Sequence, residues 1–337
     1  MKVDGELPMG MGKVTDQIRY LAEAGFTGAQ SVETGHDPFL PLVLAAEHSQ
    51  DIDLITAIAV AFARNPMNIA AIGNDLNGYS EGRFILGLGS QVRAHIEKRF
   101  SMPWSKPASR MREMILALRA IWANWYDGEP LNFRGEFYSH TLMTPVFTPT
   151  VTQHGPPRVF IAAVGPLMTQ VAGDLCDGML VHPLTSAKYL KEHTLPIIEK
   201  GLAHRGLDRS GFELSYPVFI VSGQTEEEFD LCDKSIRERI AFYSSTPAYR
   251  RVLETHGWER LQPELNAMSK RGEWAEMGSL IDDDMLNTFA VVGEPDTIIP
   301  KIKERYAGLV DRITINFSYA PREQRPDLVK ELASGQP

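Results

Sequence analysis

The chain has 337 residues, 43% of them apolar and 23% charged, with 34 basic and 43 acidic side chains giving a formal charge of −9. That length suits a single α/β barrel of about 250 residues carrying insertions, and so acidic a balance argues against gripping nucleic-acid phosphates. Cys176 and Cys232 form no CxxC pair, which excludes a disulfide framework and a cysteine-cluster metal site. The opening MKVDGELPMGMGKV lacks the apolar core of a signal peptide, and the longest apolar run falls well short of the roughly 18 residues of a membrane helix. The expectation is a cytoplasmic protein with neither a nucleic-acid nor a membrane partner.

Strands are predicted at about 2–7, 28–33, 53–60 and 83–88, then at 158–163, 178–182, 214–221 and 312–317. Several are continuous Val/Ile/Leu/Ala runs, the pattern of strands buried on both faces. Amphipathic helical patterns separate them: Val14–Ala24 ending at Gly25, Arg110–Trp125, Glu226–Tyr243 and Pro295–Ala307. Eight strands, each backed by a helix, read as a (β/α)8 TIM barrel forming one domain over 1–337. Two stretches break the alternation, a turn-rich extension at 126–157 and a longer insertion at 244–286. Loops of that length are usually lids or disordered.

In such a barrel the chemistry sits just after the strands' C-termini. Those positions hold Glu33 and His36 after strand two, Ala57–Val60 at strand three and Gly87–His95 after strand four. Val164–Pro166 follow strand five, and His182 follows strand six. Each histidine is equally readable as a hydrogen-bonded structural residue; their convergence on one rim favours a site. Gly87-Leu88-Gly89 is not a dinucleotide fingerprint, since Val92 occupies the third glycine's place. It allows either a tight turn or the close approach of a flat ring. No HExxH, GxSxG or P-loop is present, and no metal site is expected. Asp282–Asp284 reads as a solvated charge run, and Trp104, Trp122 and Trp125 as core.

Four segments carry a family likeness. Ser80–Val92 (SEGRFILGLGSQV) resembles the strand-four motif of the bacterial luciferase-like oxidoreductases, and Val60–Pro66 (VAFARNP) their strand-three exit. Ala172–His182 (AGDLCDGMLVH) and Val291–Ile298 (VVGEPDTI) resemble their strand-six entry and the element before the last strand. ILGLGSQVRAHIEKRF, FRGEFY and AFYSSTPAY are similar to the branch that uses coenzyme F420, a deazaflavin.

The resemblance implies an oxidoreductase moving a hydride between F420 and an organic small molecule. It implies a non-prolyl cis peptide at Ala57–Ile58, where the ring rests. Glu33 and His36 would lie beside ring and substrate, Gly89, Ser90 and His95 against the cofactor after strand four, and Ala163, Val164 and Gly165 against its ribityl or phosphate arm. His182 takes a rim position. His36 is expected to act as general acid or base, since imidazole titrates near neutrality, with Glu33 orienting it or bonding the ring. In F420-dependent glucose-6-phosphate dehydrogenases a glutamate after strand four handles a proton; Val92 stands here instead, which argues against sugar-phosphate oxidation. The alternatives are an FMN-dependent monooxygenase fed by a partner reductase and using O2, and a non-catalytic cofactor-binding protein. The likeness also implies a homodimer, for which Met67–Leu76 offers an apolar face equally readable as core, and gives the 244–286 insertion, with Tyr243 at its hinge, the part of a lid or an oligomer contact.

Overall fold

A computed structural model describes residues 1–334. Its centre is a closed barrel of eight parallel strands: β1 (Lys2–Glu6), β2 (Gly28–Ser31), β3 (Asp53–Thr56), β4 (Phe84–Gly89), β5 (Arg158–Ala163), β6 (Gly178–Val181), β7 (Glu213–Pro217) and β8 (Arg312–Thr314). Neighbours follow the order β3-β2-β1-β8-β7-β6-β5-β4, and β3 also pairs with β4, which closes the ring. Helices between the strands cover the barrel's outer face, with Tyr306 of helix Ile298–Tyr306 packed on Tyr216 of β7. In helix Val14–Glu23 the buried residues are Val14, Ile18 and Leu21, one stripe at helical spacing. In helix Pro66–Tyr79, Asn65 caps the N-terminus by accepting from Asn68 N–H, and proline occupies the first turn. Among the described residues no helix is long and apolar enough to cross a membrane.

Three expected elements differ in the structure. The 53–60 strand breaks after Thr56 at a cis Ala57–Ile58 peptide, and Ala59–Val60 then pairs with Leu88 and Gly89 of β4 alone. The 214–221 strand divides at Pro217: Phe219–Val221 leaves the barrel and pairs with Ala290–Val292 in a separate parallel ribbon. The 244–286 stretch is neither a loop nor disordered. It folds as helices Arg250–Glu254, Leu261–Arg271, Trp274–Met277 and Asp283–Phe289. With helix Glu226–Ser244 these share a hydrophobic cluster of their own, including Ile240, Leu253, Leu265 and Phe289.

The 126–157 extension begins with the end of helix Pro107–Asp127 and contains a short hairpin, Phe133–Arg134 with Ser139–His140. Glu113 holds that hairpin by accepting from the N–H groups of Glu136, Phe137 and Tyr138 at 2.6–2.9 Å. Trp122 and Trp125 are buried, and Trp104 packs against the same core. Trp122 also donates to the Ala70 carbonyl at 3.2 Å, so Ile69, Ala70 and Leu76 of the Met67–Leu76 face are covered by this chain itself. Asp282 is a helix cap rather than a solvated charge, accepting from Met285 N–H at 2.8 Å.

The N-terminal end of the barrel is plugged by charge. Arg312, fully buried on β8, grips Asp4 of β1 with two hydrogen bonds at 2.8 and 2.9 Å. Its remaining terminal nitrogen reaches Asp53 at 2.7 Å and Glu213 at 2.9 Å. Lys2 bonds Glu213 at 2.6 Å and Arg158 bonds Asp53 at 2.6 Å, completing a network drawn from five strands. Burial pushes the Asp53 and Glu213 carboxyls up, but Arg312 and its basic neighbours outweigh it and hold both below the usual carboxylate range.

Candidate active site at the barrel mouth

Side chains alternate along a strand, so residues two apart share a face. On β3–β6 the lumen-facing residues Ile55, Ile85, Phe160 and Leu180 form a compact apolar cluster, with Ala57, Ile58 and Ala162 packed over it. On the opposite wall Gln30 of β2 reaches Thr314 of β8 at 2.6 Å and Ser215 of β7 at 3.3 Å. The lumen is therefore greasy on one side and polar on the other. Above the apolar side the lining residues are small. Thr56 both donates to the Gly87 carbonyl (2.8 Å) and accepts from its N–H (2.9 Å), and a Cβ at Gly87 would fall 1.8 Å from the Thr56 carbonyl oxygen. At Gly89 a Cβ would meet the Ile58 side chain at 2.7 Å. These two glycines let the Ala57–Ile58 bulge lie down on β4, which leaves Ala57 and Ile58 half-buried at the mouth.

Glu33 is clamped. One carboxylate oxygen accepts from Val60 N–H and from Arg64, both at 2.7 Å, and the side chain is only 6% exposed. Arg64 also donates to the Val60 carbonyl and to Asp37, at 3.1 and 2.9 Å. Glu33 thereby ties the exit of β2 to the chain just beyond the bulge, and the structure shows no bond from it to His36. The His36 ring is half-buried, and its Nδ1 is shielded from solvent without a hydrogen-bond partner. A shielded, unpaired ring nitrogen costs folding free energy unless something bonds it. His95 is exposed on the short helix Arg93–Lys98, and the Ser90 hydroxyl donates to the neighbouring Gln91 carbonyl at 3.1 Å.

Across the mouth, Ala163, Val164, Gly165 and His182 line one narrow cleft that leaves only about 10 Å³, room for about one water molecule. His182 stacks on Tyr249 (centroids 4.2 Å apart) and receives Tyr243 edge-on at 4.7 Å. Both tyrosines come from the helical insertion and its leading helix. His182 Nδ1 accepts from Leu184 N–H at 3.1 Å, which fixes the neutral ring with its proton on Nε2. Burial among these rings pushes the His182 pKa down to about 3, so near neutrality the residue is a donor that carries no charge.

Three residues at this end were not singled out from the sequence. Arg64 and Tyr249 lie within quoted motifs, but their partners are distant in the chain. Glu6 ends β1 in register with the lumen-facing Gln30, which aims its side chain over the mouth. The signal was available in Asp4 and Glu6 at the two-residue spacing of a strand. Among the described residues no hydrogen bond or ion pair engages the Glu6 carboxylate.

Residues 3–312 match the model of the luciferase-like monooxygenases, and the chain belongs to that family. It is 53% identical over 323 residues to the uncharacterized protein Rv1360 of Mycobacterium tuberculosis, covering 96% of this chain and 95% of the relative. It is 27% identical over 294 residues to the 5,10-methylenetetrahydromethanopterin reductase of Archaeoglobus fulgidus, covering 84% and 82%. Among solved structures, the coenzyme F420-dependent tetrahydromethanopterin reductase from Methanopyrus kandleri superposes with a TM-score of 0.77 at 22% identity, covering 98% of this chain and 96% of that one.

Proposed function

We propose that this protein is an F420-dependent oxidoreductase that moves a hydride between the deazaflavin and a small organic substrate. The observation that carries the reading is the shielded, unpaired Nδ1 of His36 at the rim of an apolar half-floor. A flat tricyclic ring fits a floor made from Ala57, Ile58 and Ala162, and a polar atom beside it would satisfy that nitrogen. F420 as the particular cofactor is supported by the likeness to the F420-dependent reductase of M. kandleri. When bound, the deazaflavin supplies a two-electron hydride donor or acceptor; the chain does the rest. Glu33 and Arg64 hold the bulge on which the ring would lie. Val164 and Gly165 present backbone to the cofactor's arm, with His182 as a neutral donor close by. His36 holds or delivers the proton that accompanies the hydride. A homodimer through the helices behind β2 and β3 belongs to the same reading, with Leu40 and Val43 exposed on the first of them, Phe39–Glu47.

The test is a fluorescence titration, confirmed by calorimetry, with F420, FMN and reduced FMN in turn. Micromolar binding of F420 with weak FMN binding is the expected result. Preference for FMN would overturn the cofactor assignment and direct the next assay to oxygen uptake with a flavin reductase.

A further inference from the structure

A second cavity lies outside the barrel wall. Open on one side, it holds about 290 Å³ between the ends of β1 and β8 and two helices, Val14–Glu23 and the C-terminal Arg325–Ala333. That is at the lower end of the range of small-molecule sites. Gly5 lines it and faces outward, because a Cβ there would strike Leu21 at 2.4 Å, and Glu6 at the end of the same strand lines it as well. The outer side of β1 thus forms one wall of this cavity.

Leu7, Leu21, Phe26 and Phe317 are buried apolar walls, and Glu6, Gln17 and Asn316 lie on its polar side. With them stand Tyr20, whose hydroxyl is shielded from solvent and has no hydrogen-bond partner among the described residues, and Arg325, whose Nε donates to the Ala320 carbonyl at 3.0 Å. Among the described residues, nothing engages the two terminal nitrogens of Arg325. A second guanidinium, that of Arg322, sits 4.1 Å from the centre of the Tyr20 ring. A phenol without an acceptor and a half-bonded guanidinium in an apolar cleft are complementary to one group in particular. A carboxylate accepts from both, and arginine's parallel N–H pair matches its two oxygens.

We propose that this cleft is a binding site for a small amphipathic monocarboxylate, its apolar body against Phe26 and Phe317 and its carboxylate on Arg325 and Tyr20. The site is independent of the cofactor reading and would stand if that reading failed. Calorimetric titration of the full chain with benzoate and with hexanoate tests it, with benzyl alcohol as the uncharged control. Saturable binding of either acid, absent for the alcohol, is expected, with affinity about tenfold weaker in Arg325→Ala. Tyr20→Phe removes one hydroxyl and no packing, so it provides the same reading should Arg325→Ala fail to fold; a severalfold loss is expected there. Saturating F420 or FMN should leave the carboxylate affinity unchanged. No binding at millimolar acid, binding indifferent to both substitutions, or competition with a mouth-bound cofactor would each overturn the proposal.

Discussion

The two ends of the barrel lumen treat polar groups in opposite ways. At the base, Arg312, Asp4, Asp53 and Glu213 satisfy one another through bonds of 2.7–2.9 Å, with Lys2 and Arg158 closing the outer edge. At the mouth, His36 has a shielded nitrogen with no partner, His95 is exposed on a short helix, and Glu6 ends its strand unpaired among the described residues. The strands and alternation are common to both ends, so the difference lies in what each end is for. A completed network holds the staves of the barrel together, while an incomplete one is open to a ligand. Glu33 is the instructive exception, a mouth carboxylate treated like a basal one, because its work is to fix the bulge rather than to react.

The sharpest way to break this contrast is His36→Ala. Turnover of a substrate found with reduced cofactor is expected to fall about 10²–10⁴-fold, with cofactor affinity weakened only severalfold by the lost hydrogen bond and unfolding free energy little changed. A large loss of stability would make His36 structural and end the contrast. Arg312→Met should do the reverse. It leaves Asp4 and its neighbours buried without their cation and should cost about 3–5 kcal/mol in urea unfolding, while the folded fraction retains its cofactor affinity.

Acid sharpens the comparison further. The His182 pKa is depressed in the folded chain to about 3, below an unfolded value of about 6.5. The unfolded chain therefore binds the extra proton first, and the stabilisation is full above about pH 6.5 and lost as pH falls from there toward the folded value. Unfolding free energy should decline by up to about 1.4 kcal/mol per pH unit through that window, and His182→Phe should flatten the slope when urea midpoints are followed from pH 7 to 4.5. Asp53 and Glu213, also depressed, add a further loss only below about pH 4.5. The smallest effect belongs to Leu40→Glu, which should shift a dimer toward monomer in light scattering and leave the barrel's stability within about 0.5 kcal/mol.

The barrel was legible because strands buried on both faces write continuous apolar runs, and these survive in any one sequence. Where strands stop was not, since apolarity continues through Ala57–Val60 and Val218–Val221 after the ladder partner has changed. Burial pattern records how much a residue is covered and not by which strand. The insertion was misread for a related reason: helices as short as Arg250–Glu254 give too few turns for a periodic signal. Position after a strand was enough to bring Glu33, His36 and His182 to the mouth. It could not tell the clamped carboxylate from the unpaired histidine, because Arg64 lies 31 residues from Glu33 and the tyrosines around His182 lie beyond another strand.

The small parallel ribbon has a consequence for how such a chain can change over time. Phe219–Val221 leaves the barrel and Ala290–Val292 returns to it side by side, locked in register and extended by Gly293 N–H to the Val221 carbonyl at 3.1 Å. Everything between those two strands departs and rejoins at a single stem. A segment so attached can vary in length and sequence with the barrel's own staves in place so long as its contacts with the chain after β6 are kept, Ser186 to His256 at 2.8 Å and Tyr243 and Tyr249 around His182. New partners for the mouth would then arise by swapping one cassette on a constant frame.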